Sequence, residues 1–309
     1  MPTLRADLAL LLVTLIWGAT FPLIRGAIAH IDSYAFVFMR FSIAMVLFLP
    51  LAWRHRSWSK ARLLGALGLS FVLWLSYITQ TIGMETIASG RAAFITGLNV
   101  VMVPFFAPGF GLGRPRKLDV MAAFGAAIGL YCLTDPGRGG VSIGDFWVLG
   151  CAVSYALYIV MLQKFLDRHA MNSVWLSFLQ VAGVWLWSAP CLVFSSASLE
   201  LPRSMAFWAA LGFCATLATI GTAWLQTHFQ RYTTASRTAL IFAMEPVFAA
   251  MFGYILLGES MPPRGALGAG IILASIVVSE WIKARVPASP PKATLASAQG
   301  PIPSRRTPG

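Results

Sequence analysis

The sequence predicts an all-α polytopic membrane protein with ten transmembrane helices, arranged as two inverted five-helix repeats. Three observations support this fold class: the composition, a series of long apolar segments, and a repeat within the chain. Of the 309 residues, 58% are hydrophobic and only 11% are charged, and the mean hydropathy is +0.73. A soluble domain carries about 25% charged residues. The composition therefore excludes an ordinary soluble enzyme.

Ten apolar segments are long enough to cross the bilayer as helices, which takes about 20 residues. They lie at 8–24, 33–53, 63–83, 92–110, 118–134, 146–163, 173–194, 205–229, 238–257 and 265–282. Each segment is about twice as long as a membrane β-strand requires, so strands are excluded. The charged residues in the deep part of these segments are Arg40, in the second, and Glu245, in the ninth.

The distribution of basic residues predicts the orientation. With the N-terminus in the cytoplasm, 17 Lys and Arg residues fall on the inner side and five in the outer loops. Because cytoplasmic loops are enriched in Lys and Arg, both termini are expected in the cytoplasm, with the protein in the inner (plasma) membrane of a bacterium. This asymmetry explains the net charge of +12 without a nucleic-acid partner. A cleavable signal peptide ending near residues 27–29 is the alternative, and it would leave nine helices.

The C-terminal residues and the cysteines are also informative. Residues 284–309 contain six prolines, four basic residues and no acid, which predicts a disordered cytoplasmic tail. The four cysteines all lie within apolar segments and lack the spacing of metal ligands. We therefore expect no metal and no cofactor.

An internal repeat divides the chain. At an offset of 146, seven of the thirty positions from 77 to 106 are identical, among them Gln80 with Gln226 and Arg91 with Arg237. At an offset of 140, Pro50 matches Pro190. Each repeat contains five helices, and since five is odd the second repeat enters the membrane from the opposite side. Many secondary transporters have inverted repeats and bind substrate between the two halves, near the middle of the bilayer.

Several short motifs occur in order along the two repeats: Ile16-Trp17-Gly18, Arg40-Phe41, Ser89 to Leu98, Gly144-Asp145, Glu245 to Ala250 and Gly258-Glu259. With these motifs the chain resembles the drug/metabolite transporter superfamily, and in particular its EamA-type carriers. The resemblance extends from residue 5 to about residue 283, and it implies repeats at 5–134 and 144–283. It further implies a carrier of small metabolites, such as amino acids, their analogues or drug-like compounds, and commonly an exporter. The first repeat has Asn99-Val100 where the second has Glu245-Pro246, so a symmetric pair of carboxylates is absent.

Two ionisable residues are candidates for substrate binding or coupling, because a charge within the hydrocarbon region costs at least about 2.5–3.5 kcal/mol. Glu245 precedes Pro246, which has no backbone N–H donor and can kink the helix. Glu245 is expected to couple proton movement or to attract a cationic group, unless its carboxyl group forms a structural hydrogen bond between helices. Arg40 is expected to hold a substrate carboxylate, unless it extends to the interface or pairs with a helix end. Its repeat counterpart is Gln180.

Other polar and aromatic residues are candidates for lining the cavity. Gln80, Asn99 and Gln226 are the amide candidates, although hydrogen bonds between helices would also account for them. The aromatic candidates are Trp17, Tyr77, Tyr158 and Trp224, which could form a pocket for an aromatic or cationic ligand, although packing against lipid is the common role of such residues.

The sequence therefore favours a carrier that works by alternating access. The chain contains no nucleotide-binding P-loop and no motif of a known enzyme class, so neither ATP nor catalysis is expected. The expected partners are a small-molecule substrate, the lipid bilayer and protons, and a homodimer is left open. The alternative is a non-transporting membrane scaffold, in which the polar residues would be packed without a cavity.

Overall fold

The computed structural model describes residues 2–134, 141–195, 202–257 and 263–285. Within these ranges the regular elements are all helical. The α-helices are α1 (Pro2–Ala27), α2 (Ser33–Trp53), α3 (Lys60–Gly83), α4 (Ser89–Gly97), α5 (Asn99–Phe106), α6 (Lys117–Thr134), α7 (Ile143–Arg168), α8 (Ser173–Ser188), α9 (Met205–Ala215), α10 (Thr222–Phe229), α11 (Ala235–Phe242), α12 (Glu245–Leu257) and α13 (Pro263–Arg285). A π-helical turn at Thr216–Gly221 joins α9 to α10.

The prediction of an all-helical polytopic membrane protein is confirmed. Eight helical segments of the described chain are long and apolar enough to cross a membrane, and they correspond to the first four predicted segments and to the sixth through ninth. The fifth and tenth predicted segments are α6 and α13, which pack against each other. The predicted tail, apart from the end of α13, lies outside the described residues.

Polar residues at the helix starts explain where several helices begin. The Asp32 carboxylate accepts hydrogen bonds from the backbone N–H groups of Tyr34 at 2.9 Å and Ala35 at 3.0 Å, which caps α2. In the first turn of α7, the Asp145 carboxylate accepts from the Ser142 N–H at 2.7 Å. These caps satisfy backbone donors that have no partner within their own helix.

The first helix of each half packs inside the other half. Helix α1 lies against α9, α10, α11 and α12, whereas α7 lies against α3, α4 and α5. At Gly18, α1 approaches α12 so closely that a β-carbon would lie 2.6 Å from Phe248 Cβ. The two halves are therefore interlocked and share one core, rather than forming two separate bundles.

Two bidentate ion pairs join the halves at opposite ends of the bundle. Arg91 donates to Asp145 through Nε at 2.6 Å and Nη2 at 2.8 Å. Arg237 donates to Asp7 through Nε at 2.9 Å and Nη2 at 2.5 Å. In each pair the acid comes from one half and the arginine from the other, at matching places, which is the relation expected of inverted repeats. We call the two ends the Asp7 end and the Asp145 end.

The fourth and ninth predicted segments are interrupted at matching positions. Helix α4 ends at Gly97 and α5 begins at Asn99, while α11 ends at Phe242 and α12 begins at Glu245. At the offset of 146, Asn99 and Glu245 are equivalent. The interruptions bring a polar residue to the start of a new helix deep inside the protein. The repeat limits 5–134 and 144–283 stay a prediction.

Candidate functional site

A polar cavity lies inside the bundle, between its middle and the Asp145 end. Side chains from α1, α2, α3, α4, α7 and α12 form its walls. The lining residues are Trp17, Thr20, Arg40, Ser76, Tyr77, Gln80, Thr96, Cys151, Tyr155 and Glu245. Both halves of the chain contribute to this lining, as expected for a binding site between inverted repeats.

Arg40 forms one wall of the cavity and is only 2% exposed. Its Nε donates to Thr219 Oγ1 at 2.8 Å, and its Nη2 donates to the Ala218 carbonyl at 2.9 Å. Both acceptors belong to the π-helical turn, whose widened backbone brings Thr219 and this carbonyl toward α2. The guanidinium also lies 4.7 Å from the centre of the Tyr77 ring. Arg40 is therefore held by a second helix and does not extend toward the interface.

Part of the Arg40 guanidinium stays free. No hydrogen bond from Nη1 is found within the described part of the chain, and the residue faces the cavity. A guanidinium presents five N–H donors in a fixed plane. The Nη1 donors are therefore available to a carboxylate or another planar acceptor of a ligand in this cavity.

Glu245 forms part of the same cavity wall and is 5% exposed. Its carboxyl group makes no hydrogen bond or ion pair with the described residues, and Arg40 is not within ion-pair distance of it. It lies in the first turn of α12, where the helix dipole favours a negative charge. A buried carboxyl group without a protein partner is expected to interact with an ion, a ligand or a proton.

Aromatic rings form the boundary of the cavity near the middle of the bundle. Trp17 and Tyr155 contact each other edge to face, with ring centres 5.5 Å apart, and Phe242 contacts Trp17 at 5.2 Å. Trp17 and Tyr155 are 138 residues apart, the same offset that relates Asp7 to Asp145. Trp17 and Tyr155 are thus equivalent residues of the two repeats, and their rings contact each other. The Trp17 indole N–H donates to Thr222 Oγ1 at 3.2 Å.

Smaller polar groups complete the lining. Gln80 Nε2 donates to Thr96 Oγ1 at 3.2 Å, which leaves the Gln80 carbonyl oxygen as an acceptor. Ser76 Oγ and Cys151 Sγ are 3.3 Å apart. The cavity therefore combines one carboxyl group, one guanidinium, hydroxyl and amide groups, and three aromatic rings.

The structure brings five of the nine predicted site residues to this cavity: Trp17, Arg40, Tyr77, Gln80 and Glu245. Asn99 is buried and does not belong to the lining; its Nδ2 donates to the carbonyl of the lining residue Thr96 at 2.8 Å. Its Oδ1 has no partner among the described residues. Trp224 is 38% exposed and stacks on His228, away from the cavity.

The two other predicted residues belong to a buried hydrogen-bonded cluster between the cavity and the Asp7 end. Tyr158 donates to Gln180 Oε1 at 2.5 Å, and Gln180 donates to Thr227 Oγ1 at 3.2 Å. Gln226 accepts from Tyr155 at 3.0 Å and donates to Gln230 Oε1 at 3.1 Å. We call this group the amide cluster; its members are Tyr155, Tyr158, Gln180, Gln226, Thr227 and Gln230.

Sequence reasoning missed five lining residues: Thr20, Ser76, Thr96, Cys151 and Tyr155. Four of them are small or weakly polar and look like ordinary packing residues within a membrane helix. A signal existed for Tyr155, because the offset between Asp7 and Asp145 also relates Trp17 to Tyr155.

Comparisons with known proteins agree with this architecture. Residues 4–134 and 142–281 each match the EamA-like transporter family. An "Uncharacterized transporter" of Archaeoglobus fulgidus is 32% identical over 277 residues, covering 89% of this chain and 85% of that protein. The "Uncharacterized transporter YoaV" of Bacillus subtilis is 28% identical over 304 residues, covering 91% and 98%. A solved structure titled "Crystal structure of protein" matches with a TM-score of 0.73 at 15% identity, covering 91% of this chain and 98% of that one.

The membrane-spanning helices, the interlocked halves and the internal polar cavity define a membrane transporter. The chain belongs to the EamA-like transporter family, which is part of the drug/metabolite transporter superfamily. The resemblance seen in the sequence motifs is confirmed.

Proposed function

We propose that the protein exports a small zwitterionic metabolite, such as an amino acid or an analogue, by alternating access without ATP. One observation carries this proposal: a carboxyl group without a protein partner, Glu245, and a guanidinium with free donors, Arg40, line the same cavity. Glu245 is suited to an ammonium group of the substrate, and Arg40 to its carboxylate.

The aromatic rings of Trp17, Tyr77 and Tyr155 support an organic substrate over a simple ion. They offer apolar surface between the two charged groups, and their faces also attract cations. The scaffold alternative gains no support here, since it expects the polar side chains to be packed without a cavity.

Coupling to protons is part of the proposal. Glu245 is the carboxyl group in the lining, and a carboxyl group can carry a proton when no substrate ammonium is bound. Competition between a proton and the substrate for this group would couple their movement in opposite directions. The expected membrane is a bacterial inner membrane, with the Asp7 end in the cytoplasm.

The test is substrate exchange in proteoliposomes. Vesicles containing the purified protein are loaded with one unlabelled amino acid at a time, and entry of the labelled compound is measured without an imposed gradient. We expect saturable exchange for a restricted group of zwitterions. The Glu245→Gln variant loses the charge that faces the ammonium group, so its exchange should be weaker, and an imposed proton gradient should not stimulate the exchange that remains. Glu85→Gln, at an exposed position, should behave like the wild type in both measurements.

Two results would count against the proposal. Stimulation of the Glu245→Gln variant by a proton gradient, equal to that of the wild type, would exclude the coupling role. Exchange of anions or cations but of no zwitterion would exclude the substrate class while leaving the transporter assignment intact.

A further inference from the structure

A second polar pocket lies at the Asp7 end, outside the central cavity. The end of α5, the last turns of α7 and the connection from α10 to α11 surround about 580 Å³ of empty space. Its polar lining consists of Gln163, Asp167, Thr233, Thr234 and Ser236. This pocket is independent of the residues used in the proposed function.

The pocket contains two buried polar atoms without a hydrogen-bond partner among the described residues. Gln163 is only 6% exposed, and its Nε2 donates to Asp167 Oδ1 at 3.0 Å. Because a carboxylate accepts only, this bond fixes the orientation of the amide. Gln163 Oε1 is therefore a buried acceptor without a donor, and Thr233 Oγ1, a hydroxyl that can donate or accept, is also buried without a partner. Buried acceptors of this kind are costly unless a donor satisfies them.

The equivalent place at the Asp145 end shows which group fits. The offset of 138 makes Gln163 equivalent to Arg25, and the offset of 146 makes Thr233 equivalent to Ile87. Arg25 Nη1 donates to the Met84 carbonyl and, at 2.8 Å, to the Ile87 carbonyl. An arginine of the chain itself thus joins the end of α1 to the connection between α3 and α4.

At the Asp7 end no arginine of the described residues takes this place. Gln163 is shorter than arginine and has no charge. Of the basic neighbours, Arg237 pairs with Asp7, Arg231 donates through Nη2 to Ser173 Oγ at 2.6 Å, and Lys164 lies over the Phe110 ring. The Asp167 carboxylate has no ion pair among the described residues and supplies a negative charge at the pocket.

The first turn of α11 also borders the pocket. Its positive dipole end opposes a cation, and the Asp167 carboxylate offsets this effect. Thr234 Oγ1 caps this turn by accepting from the Arg237 N–H at 3.2 Å. Gln163 Oε1 and the Asp167 carboxylate are the acceptors of this pocket that a positively charged donor can satisfy.

We propose that this pocket binds a guanidinium group supplied from outside the described chain. The ligand's N–H groups donate to Gln163 Oε1 and Thr233 Oγ1, and its charge is balanced by Asp167. When bound, it joins the end of α7 to the connection between α10 and α11, as Arg25 joins the equivalent elements at the other end.

The test measures the binding of methylguanidinium to the purified, detergent-solubilised protein by titration calorimetry. Methylurea, which has a similar shape and no charge, and tetramethylammonium, which has a charge and no N–H donor, are the control ligands. We expect saturable binding of methylguanidinium and at least tenfold weaker binding of both controls. Binding of methylurea or tetramethylammonium as tight as that of methylguanidinium, or no binding of methylguanidinium, would overturn the proposal.

Two variants locate the site. Gln163→Arg fills the pocket with a side chain equivalent to Arg25, so we expect it to abolish methylguanidinium binding and to raise the midpoint of thermal unfolding. Asp167→Asn changes an exposed residue, is expected to fold, and should weaken binding at least tenfold. Unchanged binding in both variants would show that the ligand binds elsewhere.

A reciprocal variant tests the equivalence of the two ends. Arg25→Gln should create a similar empty pocket at the Asp145 end and lower the unfolding midpoint. Methylguanidinium should restore part of that loss, whereas methylurea should not. Equal effects of the two compounds would contradict the proposed equivalence.

Discussion

The two ends of the bundle are built from equivalent positions, yet they differ in what fills the core. Toward the Asp145 end, Arg40 and Gln80 line a cavity. Toward the Asp7 end, their counterparts Gln180 and Gln226 belong to the closed amide cluster. A transporter made of inverted repeats can exchange the two arrangements by moving one set of helices against the other. For the proposed alternating access, this difference corresponds to the state in which access is closed at the Asp7 end.

The largest expected effect comes from making the two ends alike. Arg40→Gln introduces the residue that its counterpart Gln180 carries, and it removes the charge and the free donors from the cavity. Because a hydrogen bond to a charged group contributes about 1.5–3 kcal/mol, we expect substrate exchange in proteoliposomes to fall at least about tenfold.

The control for this variant is Arg56→Gln, at an exposed arginine that lies over the Trp53 ring. Both proteins should elute as folded species on size exclusion. If the Arg40→Gln variant exchanged substrate as fast as the wild type, the guanidinium would contribute to packing alone.

A smaller effect is expected from loosening the amide cluster. Tyr158→Phe removes the hydrogen bond that Tyr158 donates to Gln180. This bond is expected to stabilise the state closed at the Asp7 end by about 1 kcal/mol. Its loss should therefore shift the ratio of the closed to the open state about fivefold. Spin labels at the exposed positions Arg56 and Tyr232 would report the change as a longer distance between labels.

Tyr131→Phe is the matched control, since Tyr131 is 51% exposed. It should leave the distance distribution unchanged. An unchanged distribution for Tyr158→Phe would indicate that the amide cluster does not control access at this end.

The smallest effect concerns the two ion pairs. Arg91→Ala and Arg237→Ala each break one bidentate pair whose side chains are about a fifth exposed. Each should lower the free energy of unfolding in detergent by about 1 kcal/mol, and the double variant should show the sum, because the pairs lie at opposite ends. A loss several times larger for one pair would show that the ends are not equivalent in stability.

Much of the fold follows from the sequence. The apolar segments predict the helices, since the membrane requires every backbone polar group to be satisfied within a helix. The offset that relates Arg91 to Arg237 predicts the inverted repeat, and the same arginines form the equivalent ion pairs. Glu245 and Arg40 stand out because charges are rare in such segments.

The sequence predicts less well which residues line the cavity. Trp224 and Trp17 look alike in sequence, yet Trp224 is 38% exposed while Trp17 lines the cavity. Their placement depends on how each helix is rotated about its axis. In a segment that is apolar on all sides, hydrophobic periodicity does not specify that rotation.

The sequence by itself determined the transmembrane segments, the repeat and the few deep polar residues, because hydrophobicity and charge act locally along the chain. Only the tertiary structure decided which of these residues meet. Arg40 is held by Thr219, and Tyr155 by Gln226, across large separations in sequence. Such contacts arise from the way the first helix of each half packs into the other, and the free groups left by this packing form the cavity.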